Sequence, residues 1–253
     1  MKTAAVRAPA GFKNILFATD FSSTAANAIP FVKAIAGHYE AQIFAFHVRP
    51  PVVNPMTSPN TWAVDLEIAK AEDEQHRREM LDTFPGSRTT ALIAEGGIQS
   101  CLQKAIKDNN IDLVVLGTHG RTGAAKLLLG SIAEEIFRNV ECPVLTVGPL
   151  ANYCQDRTGK FHQILFATDF SSDAHYAAAF AVSLALESQA HLAMMHVIPD
   201  QEAGDLVSPT DVSRSVQELL RDAVPTEARG WCKVEYLVKR GNAWQPCRES
   251  PMK

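Results

Sequence analysis

The chain has 253 residues, 46% of them hydrophobic and 21% charged, which is ordinary for a globular protein of one or two domains. A net charge of -4 and a pI near 6.1 argue against a nucleic-acid binder, which would carry a basic face. The longest apolar stretch, Ala177 to Leu186, is about half of what a bilayer span requires, and the start MKTAAVRAPAGFK has no apolar leader core, so a cytoplasmic protein is expected without membrane attachment.

In chain order, Ile15 to Thr19 reads as an apolar strand, Asp20 to Ser23 as turn and cap residues, and Ala25 to Tyr39 as an alanine-rich helix. Ala41 to Val48 is a second strand. A proline-rich crossing, Pro50 to Pro59, leads to a polar helix from Trp62 to Phe84 and a third strand, Thr89 to Glu95. Then follow a helix over Gly97 to Asp108, a strand over Asp112 to Leu116, a glycine loop, a helix over Ser131 to Asn139 and a strand over Pro143 to Val147. Alternating strands and helices predict an open, doubly wound parallel sheet covered on both faces, with a ligand at the carboxyl ends of the strands where strand order reverses.

The glycine loop, GTHGRTGAAKLLLGS from Gly117 to Ser131, carries the chemistry. Gly117 and Gly120 lack a Cβ and can reach positive φ, so successive amides can approach phosphate oxygens. Gly130 and Ser131 open a helix whose unpaired N–H groups and dipole favour an anion, and Ser131-Ile132-Ala133-Glu134 reads as a capping box. Arg121 supplies a fixed positive charge, and Lys126 could add another. A P-loop is excluded because neither Gly117 nor Gly120 is followed at the required spacing by Lys and a hydroxyl residue. The dinucleotide fingerprint also fails, since position 118 is Thr and the loop is too long.

Asp20 ends the first strand beside the glycine loop's strand, where its carboxylate can accept from sugar hydroxyls; the alternative is a plain helix N-cap, equally open to Ser22 or Ser23. His47 has no second ligand at metal spacing and reads as a structural histidine. Val48 and its backbone can line an adenine slot, and His119 stands where it could touch a phosphate or the solvent. Five cysteines (Cys101, Cys142, Cys154, Cys232, Cys247) form no C-x-x-C pair and read as reduced thiols, Cys101 and Cys142 as small core residues.

The nine residues ILFATDFSS, Ile15 to Ser23, recur unchanged at Ile164 to Ser172, and the same displacement carries His47-Val48 onto His196-Val197. A duplication is implied, with residues 1–150 as a complete nucleotide-binding domain and 160–253 as a truncated second repeat. After Glu235 to Gly241, which matches the third strand, no second glycine loop appears before residue 253, and Pro246 and Pro251 interrupt the next expected helix. The second copy keeps Asp169 but, without the glycine loop, is expected not to bind the ligand by itself and to leave Ile164 to Thr168 as an apolar sheet edge.

These residues resemble the universal stress protein family. The resemblance is carried by Thr19-Asp20, His47-Val48, Gly117-x-x-Gly120-x9-Gly130-Ser131 and Cys142-Pro143-Val144-Leu145-Thr146-Val147, over residues 13–148 and the front of a second copy. It implies a five-stranded, adenine nucleotide α-hydrolase-like sheet in the order 3-2-1-4-5. It also implies ATP, or AMP, with Mg or Mn carried by the phosphates. Asp20, next to Thr19, would hold the ribose and the Val48 main chain the adenine. Gly117, Gly120, Gly130, Ser131 and Ile132, flanked by His119 and Arg121, would take the ribose and phosphates. Family members commonly pair through the strand corresponding to Pro143 to Val147, which implies a homodimer.

With Asp20 assigned to sugar and Glu134 to the capping box, no carboxylate is free to act as a base near the terminal phosphate. A regulatory, ATP-binding stress-response module that is not primarily an enzyme is expected. The alternatives are a slow, autophosphorylating ATPase and a dimeric scaffold whose nucleotide site is vestigial.

Overall fold

The structure, a computed structural model, describes residues 11–52, 59–118, 131–148, 161–199, 209–226 and 233–241. The chain divides into two units, the first beginning at Gly11 and the second at Lys160.

The first unit runs β1 (Asn14–Ala18), α1 (Ser23–Ala26), α2 (Ile29–Tyr39), β2 (Gln42–Arg49), α3 (Pro59–Thr83), β3 (Thr89–Glu95), α4 (Ile98–Asp108), β4 (Leu113–Gly117), α5 (Ser131–Asn139) and β5 (Val144–Val147). Its strands form one parallel sheet, as the alternation of elements predicts, in the order β3-β2-β1-β4-β5 that the family resemblance implies. The helix expected over Ala25 to Tyr39 is instead two helices. Pro30, near the start of α2, has no N–H to offer the Ala26 carbonyl four residues back, and its ring crowds that carbonyl, so the chain breaks there.

Side-chain alternation sends β1, β2 and β4 residues to two buried faces. On one face Leu16, Phe44, Phe46, Val114 and Leu116 pack on Leu102 and Ala105 of α4 and Ala133 and Ile136 of α5. On the other lie Ile15, Phe17, Ile43, Ala45 and Val115, with the Phe17 ring edge-on to Phe84 at 5.7 Å. Cys101 and Cys142 are half-buried against the first face as free thiols, and burial pushes the Cys142 thiol above its ordinary pKa, in keeping with a core role. At the amino-terminal edge of the sheet the Asp112 carboxylate accepts from the N–H groups of Lys13 (2.8 Å) and Asn14 (3.2 Å), tying β4 to β1 away from the ligand end.

The second unit contains β6 (Gln163–Ala167), α6 (Ser172–Ser188), β7 (His191–Ile198), α7 (Pro209–Asp222) and β8 (Val234–Arg240). Its sheet is parallel in the order β6-β7-β8, over a core including Leu192, Met194, Ala185 and Leu220. Among the described residues β6 pairs with β7 alone, as expected for the edge at Ile164 to Thr168. Among the described residues no helix is long and apolar enough to cross a membrane.

Gly117 is required by packing. A Cβ there would lie 2.8 Å from the Thr24 carbonyl oxygen and 3.0 Å from its carbon, both backbone atoms of α1. Gly117→Ala is therefore expected to destabilise the first unit by about 1 to 3 kcal/mol, because neither strand nor helix backbone can yield cheaply. Urea unfolding checks this, and an unchanged midpoint would show that α1 moves aside freely.

Candidate functional site

The site lies at the carboxyl ends of β1, β2 and β4, where β1 has β2 on one side and β4 on the other and the strand order reverses. Beyond Ala18 the chain must leave the sheet and enter α1 within a few residues. Side chains make that turn: Thr19 Oγ1 accepts from Phe21 N–H (3.0 Å), Asp20 Oδ1 from Ser22 N–H (3.0 Å) and Ser22 Oγ from Ala25 N–H (3.2 Å). Phe21, between them, is held in the left-handed region at φ 61.

Asp20 is thus not the N-cap of α1, a role taken by Ser22. Its Oδ1 shapes the turn, while among the described residues nothing donates to Oδ2. A carboxylate fixed by one oxygen and open at the other suits a hydroxyl ligand.

Phe21 stacks on His76 of α3 with centroids 4.4 Å apart and planes at 17°, and it leans on His47 at 4.8 Å. His47 sits edge-on to His76 at 5.2 Å. Its Nδ1 lies 2.8 Å from the Thr19 carbonyl oxygen. A carbonyl only accepts, so Nδ1 carries the proton. His47 is a structural histidine, as the sequence predicts.

Val48 packs its side chain on the α4 and α5 face of the sheet. Its peptide is placed by the ladder. Odd-numbered β2 residues address β3, as Ile43 N–H donates to Arg88 O and Arg49 O accepts from Gly96 N–H, while Phe46 O accepts from Thr19 N–H on the β1 side. Val48 N–H and C=O therefore face the line of β1 beyond the point where β1 has turned away, and no main-chain group of the described residues pairs with them there. Next to it, the Arg49 guanidinium lies 3.1 Å from Asp73 of α3 and 2.7 Å from Glu95 of β3, fastening α3 to the sheet beside the site.

On the β4 side, Gly117 is the last strand residue, paired with Val147, and does not have the positive φ expected of it. Its missing Cβ admits α1 rather than bending the chain. Ser131 and Ile132 open α5 as expected, and Glu134 Oε1 accepts from Arg138 Nε (3.1 Å) and Nη2 (3.0 Å), a pair four residues apart on one helix face; the Ser131 side chain, and with it the expected capping box, lies outside the described residues. His119, Gly120, Arg121, Lys126 and Gly130 lie outside the described residues. Thr19, Asp20, Val48 and Gly117 are brought together at one end of the sheet.

The aromatic contacts of Phe21 and His76 and the Arg49 pairs were not anticipated from sequence. Phe21 did carry a signal, since it sits unchanged at Phe170 in the repeat. The second unit rebuilds the same turn. Phe170 has φ 62, Thr168 Oγ1 and Asp169 Oδ1 accept from Phe170 and Ser171 N–H at 3.0 and 2.9 Å, and His196 Nδ1 donates to Thr168 O at 2.7 Å.

A family model described as the universal stress protein family matches residues 11–148 and again 160–245. The chain belongs to the universal stress protein family. One relative, a universal stress protein of Methanocaldococcus jannaschii, is 29% identical over 140 residues, spanning 54% of this chain and 82% of its own. Another, from Thermus aquaticus, is 31% identical over 137 residues, spanning 54% of this chain and 98% of its own. Among solved structures, a universal stress protein from Archaeoglobus fulgidus aligns with a TM-score of 0.63 at 18% identity, covering 92% of this chain and 80% of that one, which shows the fold.

Both copies of the universal stress protein turn rest on a carboxylate. In the second, hydrogen bonds from Ser171, side chain first and then backbone, hold Asp169 below the usual carboxylate range. A depressed folded pKa contributes stability that is present above the unfolded value and lost as pH falls through the folded one. Asp169→Asn, which keeps the turn oxygen but cannot titrate, is expected to flatten the acid side of the second unit's stability profile between about pH 5 and about pH 2. Urea midpoints across that range check it, and an unaltered slope would mean that the turn does not depend on charge.

Proposed function

We propose that the first unit binds an adenine nucleotide, ATP or AMP, and works as a nucleotide-dependent regulatory module in a stress response. The observation that carries this reading is the Val48 peptide edge, a donor and an acceptor facing an open line beside the free oxygen of Asp20 at the reversal of strand order. Adenine presents a matching acceptor and donor side by side, and ribose presents hydroxyls to a carboxylate. The phosphates would then run toward the start of α5, where Gly130, Ser131 and Ile132 supply main-chain amides and Gly120, Arg121 and His119 the loop.

Mg or Mn would arrive on the phosphates. Binding rather than catalysis is favoured by the pairing of Glu134, the acid nearest the start of α5, with Arg138. β5 ends the sheet order and is half-buried, so its edge is the proposed site of homodimer pairing.

Isothermal titration of the full chain with Mg-ATP is expected to show one site of micromolar affinity or tighter. Asp20→Asn preserves the turn acceptor, so its melting temperature should stay near wild type while binding weakens by about 1.5 to 3 kcal/mol, the worth of a charged acceptor. Gly130→Val should weaken binding by about 1 to 3 kcal/mol and Ser131→Ala by less, since the amide remains. Absence of ATP affinity in this range would favour the scaffold reading. Turnover well above background that Gly120→Val abolishes would favour the ATPase.

A further inference from the structure

Among the described residues no main-chain group pairs with the Val48 N–H, and for a specific reason. The register that pairs Ala18 with Phe46, and gives Thr19 N–H to Phe46 O at 2.9 Å, assigns Thr19 C=O as the next acceptor, for Val48 N–H. That carbonyl instead accepts from His47 Nδ1 at 2.8 Å, and the chain then swings away through Asp20 and the left-handed Phe21. We propose that His47 is a positioning residue that stops the β1–β2 ladder one step early, keeping the Val48 N–H available to a nucleotide base. This rests on the nucleotide reading only for the identity of the occupant.

Two further observations support it. The imidazole lies against the stacked pair of Phe21 and His76, at 4.8 and 5.2 Å, and these contacts hold its ring in the orientation that aims Nδ1 at the carbonyl. The same substitution of partners occurs in the second unit, where Thr168 N–H donates to Met195 O at 2.9 Å, His196 Nδ1 takes Thr168 O at 2.7 Å and Val197 stands where Val48 does. An imidazole in place of a backbone donor therefore recurs wherever this turn is built. Its consequence is chemical as well as geometric. A free N–H beside its own C=O accepts an adenine edge, with ring nitrogen and exocyclic amine, and meets a guanine edge with donor and acceptor reversed.

Amide hydrogen exchange of the nucleotide-free full chain tests the device without depending on ligand. In wild type the Val48 amide should exchange at least about tenfold faster than that of Phe46, which sits inside the ladder. His47→Leu removes the donor and frees Thr19 C=O. Val48 exchange should then slow by about tenfold or more, and Mg-ATP affinity should fall by about tenfold. His47→Asn places an amide nitrogen where Nδ1 stood and should restore fast exchange and affinity together. His196→Leu should slow Val197 in the same way, which gives a second readout if the first-unit variant folds poorly. Equal protection of Val48 and Phe46 in wild type would overturn the proposal. So would a His47→Leu chain in which Val48 exchange is unchanged or faster, or an Asn variant indistinguishable from Leu. If the exchange pattern holds but wild type binds no ATP, the nucleotide reading fails and the ladder stop stands.

Discussion

The exit of β1 is the constraint on which the rest of the architecture depends. A buried parallel strand must end, satisfy its last peptide groups and deliver the chain to a helix that packs back over the same sheet, all within Thr19 to Ser22. Local side-chain oxygens accept the N–H groups that would otherwise be orphaned, and a left-handed residue supplies the change of direction. Because Phe21 is not glycine, the left-handed conformation carries strain, and its stacking on His76 and contact with His47 offset it. Once the turn is set, α1 must pass directly over the end of β4, and only a glycine at 117 leaves room.

Comparison of the two units separates what this turn demands from what is free to change. The turn hydrogen bonds agree within a tenth of an ångström: 3.0 and 3.0 Å at the threonines, 3.0 and 2.9 Å at the aspartates, 2.8 and 2.7 Å at the histidines. Elsewhere along the strands the chemistry diverges. Gln42 donates to Thr90 across β2 and β3, whereas His191 faces Glu235 at 3.7 Å across β7 and β8. Arg49 binds Asp73 and Glu95 at the end of β2, while the last residue of β7 is the buried Ile198. An unchanged nonapeptide is therefore explained by geometry at one corner, not by the sheet as a whole.

The fold was legible because strand and helix periods are written in apolar spacing. Thr89–Glu95 and Ser131–Asn139 have the limits read from sequence, and the strand order is the one that the family resemblance implies. What escaped were features decided by atoms distant in sequence. Pro30 divides a helix whose apolar pattern runs on without a break, so periodicity alone could not show the division. Gly117 resembles a loop glycine until α1 is placed above it, and the pairing of Glu134 with Arg138 is a choice among neighbours that the sequence does not make. His76 lies in a polar helix with nothing to distinguish it before Phe21 is seen beneath. At the site itself Asp20 could be recognised by type, but the open Val48 edge could not, because an unpaired amide leaves no mark on residue identity.

The same turn in two sheets does not have the same surroundings. A ligand crevice at a reversal of strand order needs two strands leaving a common neighbour in opposite directions, so that their crossovers part and a cleft opens between them. In the first unit β2 and β4 flank β1 and supply both walls. In the second, among the described residues, β6 has β7 on one side only, so Asp169 and Val197 line a single wall. One wall can offer hydrogen bonds but cannot exclude water from around a base, and burial supplies much of the affinity for an aromatic ligand. Among the described residues the turn hands the chain from β6 to α6 in the second unit, the task it also performs in the first, where β4 adds a second wall beside it.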